Sequence, residues 1–468
     1  MTAPVATAPT EDLARPRAAL ESLGCRLNHA ETEMIRRRLE QAGYRIVPWG
    51  EAAEVMVLNS CTVTAQADAS SRQALRGARR AQPDARLAIV GCHAQMHAPA
   101  LAAAGLADLI VGNGNKLAVV EHLLADRQES RRTATTGGAP RAATPHIVRP
   151  PLSRRPFAFD FDPDTLVSED GGTRAHLKIQ DGCDFMCSFC IIPQARGRAR
   201  PRALDNLLAE ARALAGRGVQ EIVLTGVNLG TFSEGGARLT DVVDRLDALP
   251  GLARVRISSI EPTTVDEGLL ERMAARDHKL VPYLHLPLQS GSDAVLAAMR
   301  RRYTAAAYVD FAERALGRVP DLCVGADVMA GFPGEDDGRF AETFALLDRL
   351  PLATFHVFAY SERPGTPAVR LPGAILPALR RRRVAALRAL GDTKRLAFNR
   401  RFVGRCLPVL FEKPRHAGVA EGYTEHFVRV KAPAPDAAAL RNRVLPVRLL
   451  EAGPQAVAGE LLAPVSSG

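Results

Sequence analysis

Between Thr173 and Leu371 six short strand-like runs, AHLKIQ, EIVLTGV, RVRISSI, LHLPLQ, CVGADVMAGF and TFHVFAY, recur with helical patterns between most of them. This alternation is what most narrows the fold. Strands spaced at helix-sized intervals run parallel, and about six βα units predict a closed or partly closed α/β barrel. A second alternation precedes it, from Ala18 to about Asp126: RAALESLGC leads into HAETEMIRRRLEQAGY, EVMVLNSCTV into SSRQALRGARRAQ, and RLAIVGC into an Ala-rich helix. That pattern predicts a parallel sheet covered by helices. From about Phe402 the character changes to short β-rich runs, CLPVLFEK, FVRVKA, RVLPVRLLEAG and AVAGELL, which fit a small β-barrel of OB-like size. RQESRRTATTGGAPRAATPHIVRPPLSRRP has no periodicity and reads as a linker. The expected class is α/β, with an α/β domain over 18–126, a linker over 127–172, a partial α/β barrel over 173–401 and a β-barrel over 402–468.

Composition fits several cores. A chain of 468 residues predicts two to four domains of roughly 100–200 residues. Hydrophobic residues at 47% and charged residues at 24% exclude global disorder. No window approaches the roughly 18 apolar residues of a membrane span. The N-terminal MTAPVATAPTEDLARPRAAL lacks the basic-then-apolar layout of a secretion signal, so a cytoplasmic protein with no membrane partner is expected. The net charge of +10 permits a polyanionic partner without requiring one. Eight cysteines are too sparse for a disulfide scaffold, which turns attention to metal or redox chemistry wherever they cluster.

They cluster in KIQDGCDFMCSFCIIPQARG, where Cys183, Cys187 and Cys190 follow a strand with the spacing C-x3-C-x2-C. Three thiolates in one loop suit a polynuclear iron–sulfur cluster, which normally takes four, so one iron stays open to a substrate-like molecule. Two other readings are a structural zinc site with a distant fourth ligand and unligated core thiols. Zinc sites usually show two separated pairs, and no second pair is present. Cys25, Cys61 and Cys92 share another property: each lies just past a strand, where the chain turns toward the next helix. Carboxyl ends of parallel strands share one edge, so these three residues can converge there. Cys323 and Cys406 stand apart and read as packing residues. GFPGE lacks the Gly-Lys-Ser/Thr ending of a phosphate loop and reads as a tight turn. The run Arg380, Arg381, Arg382, Arg383 lies in an Arg-dense helix, either a solvated face or a nucleic-acid contact.

CDFMCSFC, with Phe189 just before the last cysteine, resembles the radical S-adenosylmethionine (SAM) signature. LGCRLNHAETE, LNSCTVTAQADASSRQ, IVGCHAQ, LTGVNLG, SSIEP, LHLPLQSGSD, GFPGE and HVFAYSERPGTPA narrow the resemblance to the radical SAM tRNA methylthiotransferases, from about Leu23 to the end of the chain. Within that family QDGC, CTVT and HVFAYS resemble the branch acting on threonylcarbamoyladenosine. Other branches act on isopentenyl-adenosine in tRNA or on a ribosomal-protein aspartate. The resemblance implies two [4Fe–4S] clusters, one held by Cys183, Cys187 and Cys190 and an auxiliary one held by Cys25, Cys61 and Cys92, with SAM as co-substrate. It places Phe189, Gly226 and Glu261 beside SAM, Gly226 through its backbone and Glu261 as a polar contact. A strand-end glycine and a helix-start carboxylate are the plainer readings of the last two.

The resemblance also implies the reaction. Adenine C2–H is not acidic enough for acid–base chemistry, so a radical is needed. SAM chelates the open iron and one electron cleaves it to a 5′-deoxyadenosyl radical, while a second SAM methylates a sulfur at the auxiliary cluster. The product is a 2-methylthio adenosine. Both clusters are then expected to face one cavity, with the N-terminal cysteine edge over the barrel mouth. The expected partner is a tRNA anticodon loop, whose bases splay out, docked with the help of a terminal barrel resembling a TRAM domain. An electron donor and a sulfur source are also implied, and the sequence identifies neither. The family has Asn-Thr-Cys where this chain has Asn59-Ser60-Cys61, and Tyr at the positions of His93 and Gln194; none of these departures removes a ligand. Outside this family, a non-catalytic zinc-containing RNA-binding protein is the competing class.

Overall fold

The computed structural model describes residues 15–135, 145–161 and 173–462. They form two compact units: unit 1 runs to Arg154 and also takes in Ile191–Gly197, and unit 2 comprises Arg155–Cys190 and the chain from Arg198 onward.

Unit 1 is a parallel sheet of β1 (Arg17–Ser22), β2 (Arg45–Val47), β3 (Val55–Ser60), β4 (Arg86–Gly91), β5 (Leu109–Val111) and β6 (His146–Val148), in the order β2-β1-β3-β4-β5-β6. VMVLNS of β3 is buried at every position, as a strand covered on both faces must be. The covering helices are α1 (Arg26–Gln41), α2 (Ala65–Ala81), α3 (Cys92–Ala103) and α4 (Val119–Thr135), joined by the short α5 (Ile192–Arg196) from the later segment. Thr64 starts α2 by accepting the Ala67 amide at 3.1 Å, which satisfies one of the helix's orphan donors. The stretch expected as linker is partly built into this unit, because α4 continues to Thr135 and His146–Val148 adds an edge strand to β5. Three residues of strand between Arg- and Pro-rich flanks carry no periodic signal of their own. Residues 136–144 and 162–172 of that stretch lie outside the described residues.

Unit 2 opens with β7 (Arg174–Lys178) and the two-residue pair β8 (Gln180–Asp181) and β9 (Arg200–Pro201), followed by β10 (Glu221–Thr225) and a small hairpin of β11 (Ser233–Glu234) and β12 (Ala237–Arg238). β13 (Arg254–Ile257), β14 (Tyr283–His285), β15 (Cys323–Ala330) and β16 (Thr354–Ala359) complete the large sheet. Ladders order β13-β10-β7 and β14-β15-β16, and the parallel bridges Val255↔Leu280 and Ser259↔His285 join the two halves. The six strands read from the sequence therefore line one partial barrel. Its helices are α6 (Leu204–Gly216), α7 (Leu239–Asp247), α8 (Glu267–Ala274), α9 (Asp293–Ala298), α10 (Ala305–Arg318), α11 (Asp337–Arg349) and α12 (Pro377–Arg400). Alternate residues Val324, Ala326, Val328 and Ala330 of β15 join the apolar core under these helices, while Cys323 and Met329 belong to other clusters on the opposite face.

The remaining strands, β17 (Cys406–Phe411), β18 (Val419–Thr424), β19 (Arg429–Pro433), β20 (Val444–Ala452) and β21 (Val457–Leu461), close into a five-stranded barrel in the order β17-β18-β19-β21-β20. Its core is shared with Val281, Tyr283, Cys323 and Ala353, at the amino-terminal ends of β14, β15 and β16. The small barrel is thus docked at the end of the large one opposite the cysteine loop. Cys323 packs there, as expected. Cys406 does not: it is exposed, because the strand alternation turns it to the outer face of β17. No helix among the described residues is long and apolar enough to cross a membrane.

Candidate active site

In unit 1 the register places Ser22 beside Asn59 and Ser60 beside Gly91, so the carboxyl ends of three neighbouring strands are level. Cys25, Cys61 and Cys92 follow directly, which brings the three thiols to one edge as expected. Close approach of the loops depends on glycine. At Gly24 (φ +106°) a Cβ would lie 2.5 Å from Cys61 Cβ, and at Gly91 (φ +98°) 2.6 Å from Asn59 Oδ1.

A buried polar network locks these loops. Asn28 Nδ2 donates to the carbonyls of Leu23 (2.7 Å) and Ser60 (3.1 Å), and Asn59 Nδ2 donates to the Asn28 carbonyl at 2.9 Å. Asp68 accepts from Thr62 at 2.6 Å and pairs with His93 Nδ1 at 2.7 Å, tying together the residues that follow Cys61 and Cys92. His93 is thus held through Nδ1, while its buried Nε2 has no hydrogen-bond partner among the described residues. Arg196 donates to both Glu31 oxygens at 3.1 Å and to Asn28 Oδ1 at 2.6 Å, and Lys116 Nζ reaches Glu31 at 2.6 Å. Asn113 Nδ2 donates to Cys92 Sγ at 3.3 Å and to the Ala195 carbonyl at 2.7 Å. Gln194, another of the three departures, is exposed on α5. Burial, followed by the neighbouring Cys92, pushes the Cys61 thiol up to about 12.

In unit 2 the Cys183 loop springs from the carboxyl end of β7. Gln180 anchors it: its Nε2 donates to the Gly182 carbonyl at 2.8 Å, and its Oε1 accepts the amides of Val227 (2.8 Å) and Asn228 (3.1 Å). Gly226 is small for that reason, since a Cβ there would meet Gln180 Oε1 at 2.9 Å. Ser188 fixes the far side, its amide donating to Met299 O at 3.0 Å and its hydroxyl to Ala298 O at 2.7 Å. The ring of Phe189 lies edge-on to Phe332 at 6.4 Å. Burial pushes the Cys183 thiol up to about 11.

Glu261 is engaged by a residue that sequence reasoning missed. Its carboxylate takes a hydrogen bond from Arg301, whose NH1 also donates to Cys187 Sγ at 3.4 Å. Burial opposes the Arg301 charge, yet Tyr303, Glu261 and Cys187 hold its guanidinium above the usual range; burial likewise pushes the Glu261 carboxyl up, against the pull of Arg301. Farther along the lumen, Asp327 accepts from His285 at 2.9 Å and lies 3.3 Å from His356. Burial raises that carboxyl, but the two imidazoles outweigh it and hold it below the usual range.

The Arg380 to Arg383 run divides. Arg380 donates to the carbonyls of Ile375 (2.9 Å) and Tyr360 (3.0 Å) and pairs with Glu362; Arg383 pairs with Glu335 (2.9 Å) and Asp337 (2.6 Å). Both are buried, so the expectation of four available arginines is corrected to two, Arg381 and Arg382, which are exposed. The helix period turns residues three apart toward the same face, here the one packed on the barrel. GFPGE forms the tight turn expected, with the Gly331 amide donating to Glu335 Oε1 at 2.9 Å.

A partial α/β barrel with three thiols in the loop after its first strand defines a radical SAM protein, and the model of the Radical SAM superfamily matches residues 177–347. The model of the Uncharacterized protein family UPF0004 matches residues 17–112. Among solved structures, the radical S-adenosylmethionine methyltransferase TsrM from Kitasatospora setae shares the fold at a TM-score of 0.53 and 14% identity, covering 76% of this chain and 74% of its own. Several relatives bear the name threonylcarbamoyladenosine tRNA methylthiotransferase MtaB. That of Bacillus subtilis is 32% identical over 93% of this chain and 94% of its own length, and that of Aquifex aeolicus is 33% identical over 89% and 96%. The chain belongs to the MtaB family of radical SAM methylthiotransferases.

Proposed function

We propose that this enzyme methylthiolates C2 of N6-threonylcarbamoyladenosine beside the anticodon of tRNA, consuming two SAM and using two [4Fe–4S] clusters. The observation that carries the reading is similarity over nearly the whole chain to four proteins of that name, at 31–33% identity. In this reading the N-terminal sheet carries the auxiliary site, the partial barrel the radical site, and the terminal barrel with Arg381 and Arg382 the RNA contact.

The side chains present suit such clusters. All eight cysteines are free thiols, and burial disfavours bare thiolates at Cys61 and Cys183, so a cationic iron core is what would hold them ionised. Asn113 and Arg301 already direct N–H groups at Cys92 and Cys187. Cys183, Cys187 and Cys190 would hold the radical cluster, and Cys25, Cys61 and Cys92 the auxiliary one. When bound, these groups with SAM supply one-electron chemistry and sulfur, the means of replacing an unactivated aromatic C–H. The protein's share is positioning: Gln180 braces the backbone at Gly226 against the cysteine loop, and Phe332 braces Phe189. Glu261 presents its polar edge at the end of the third barrel strand, its charge already balanced by Arg301.

Nucleoside mass spectrometry of tRNA from cells with and without the protein tests this. The methylthio form of threonylcarbamoyladenosine should vanish without it, and the unmethylthiolated nucleoside should accumulate. Loss of methylthio-isopentenyl-adenosine would reassign the substrate. Unchanged tRNA with a modified ribosomal-protein aspartate would move the enzyme to another branch, and colourless zinc-bearing protein would remove it from catalysis.

A further inference from the structure

Arg301 is 3% exposed at its side chain, and its donors are spent around a single cysteine. NH1 faces Cys187 Sγ at 3.4 Å. NH2 donates to Glu261, to the Tyr303 hydroxyl at 2.8 Å and to the Pro287 carbonyl at 3.2 Å, while Nε donates to the same hydroxyl at 3.1 Å. The Tyr303 hydroxyl donates in turn to Pro287 O at 2.5 Å, which fixes the ring against the guanidinium. A guanidinium keeps its charge in any dry site, and its planar fork leaves little freedom once these partners are in place. At the other trio the donors to sulfur are neutral, the Asn113 side-chain amide at Cys92 and the Val63 backbone amide at Cys61.

Charge and N–H···S hydrogen bonds are among the levers that set an iron–sulfur potential. A cation against a ligating sulfur stabilises the more negative, reduced cluster, and a neighbouring carboxylate opposes it. We infer that the Arg301–Glu261 pair sets the reduction potential of the cluster held by Cys183, Cys187 and Cys190, with Arg301 raising it and Glu261 damping that effect. The inference rests on the cluster assignment proposed above. The step concerned is the gain of one electron by the oxidised cluster from an external low-potential reductant, with no bond made or broken.

The test uses the full chain carrying Cys25→Ala, Cys61→Ala and Cys92→Ala, reconstituted anaerobically without SAM and titrated with dithionite while the reduced signal is followed by electron paramagnetic resonance. Arg301→Gln should lower the ratio of reduced to oxidised cluster at the parent's midpoint tenfold or more, at least ~59 mV for a one-electron couple. Glu261→Gln should shift the midpoint the opposite way, and Arg301→Lys, which keeps the charge, should stay nearer the parent. Packing damage alone has no reason to give opposite signs. If both single variants keep their iron and shift together, or do not shift, the inference is overturned. Should Arg301→Gln fail to retain iron, Glu261→Gln still decides, since an unchanged or lowered midpoint contradicts the charge argument. A parent that binds no cluster overturns the assignment beneath instead, and iron analysis tells the two failures apart.

Discussion

A methyl group at Gly24 would stand 2.8 Å from Cys61 Sγ on a backbone already at φ +106°. Gly24→Ala must therefore push the Cys25 loop away from Cys61 while leaving unit 2 untouched. The expected outcome is a folded protein with about half the parent's iron, as one of two four-iron clusters is lost; full iron by metal analysis would show that the loop spacing is not critical. Glu221 illustrates a charge rather than a contact. It is fully buried, with Arg256 Nε at 2.7 Å. Burial alone would raise its carboxyl, but Arg256, then Arg174 and Arg254, draw it below the usual range. A depressed carboxylate stabilises the fold above its unfolded value of about 4.3, and that contribution fades as pH falls through the lower folded value. Glu221→Gln should therefore cost about 3–5 kcal/mol at neutral pH by leaving Arg256 buried and unmatched. The gap in Tm between the two proteins should narrow below about pH 4, and a constant gap into strong acid would assign the loss to packing.

Among the elements, α12 separates structural from available charge within one run. Arg381→Gln with Arg382→Gln should leave thermal stability alone and reduce the salt dependence of tRNA binding by about 0.7–0.9 in log K against log[salt] for each phosphate contact removed. Arg383→Ala should cost about 3–5 kcal/mol by leaving the buried Glu335 carboxylate without its ion-pair partner. An unchanged salt slope in the double variant would move the RNA path to another face. The same helix shows where sequence reading stops, since four adjacent arginines look alike until the barrel beneath selects two. The six barrel strands were legible because each is a short apolar run between helical patterns. β18 was not: VAEGYT breaks the alternation with Glu421 and Gly422. In the closed barrel Glu421 is matched by Arg429, and Gly422 leaves room for the Leu410 carbonyl, 2.3 Å from where a Cβ would sit. The cysteines of the radical motif were legible because their spacing is local. Arg301, inside RRRY, reads as surface charge, and its burial depends on Glu261, a partner 40 residues away.

At the scale of the whole molecule, each unit carries one cysteine trio, so the two can be emptied independently. Replacing Cys25, Cys61 and Cys92 with Ala should leave about four irons of about eight and a protein that still cleaves SAM to 5′-deoxyadenosine yet transfers no sulfur. Replacing Cys183, Cys187 and Cys190 should abolish cleavage. Loss of cleavage in a well-folded first variant would place the N-terminal trio in the service of the radical site. Which residues belong to which unit was hidden from the sequence, because Ile191–Gly197 follows the radical cysteines directly and yet packs in unit 1. That placement bears on the order of synthesis. Glu31 emerges from the ribosome 165 residues ahead of Arg196, a wait of roughly 10–30 s at ordinary elongation rates. During it the buried Glu31 carboxylate on α1 has Lys116 beside it but lacks the Arg196 guanidinium, and the unit is completed only when the second cysteine motif has also been translated.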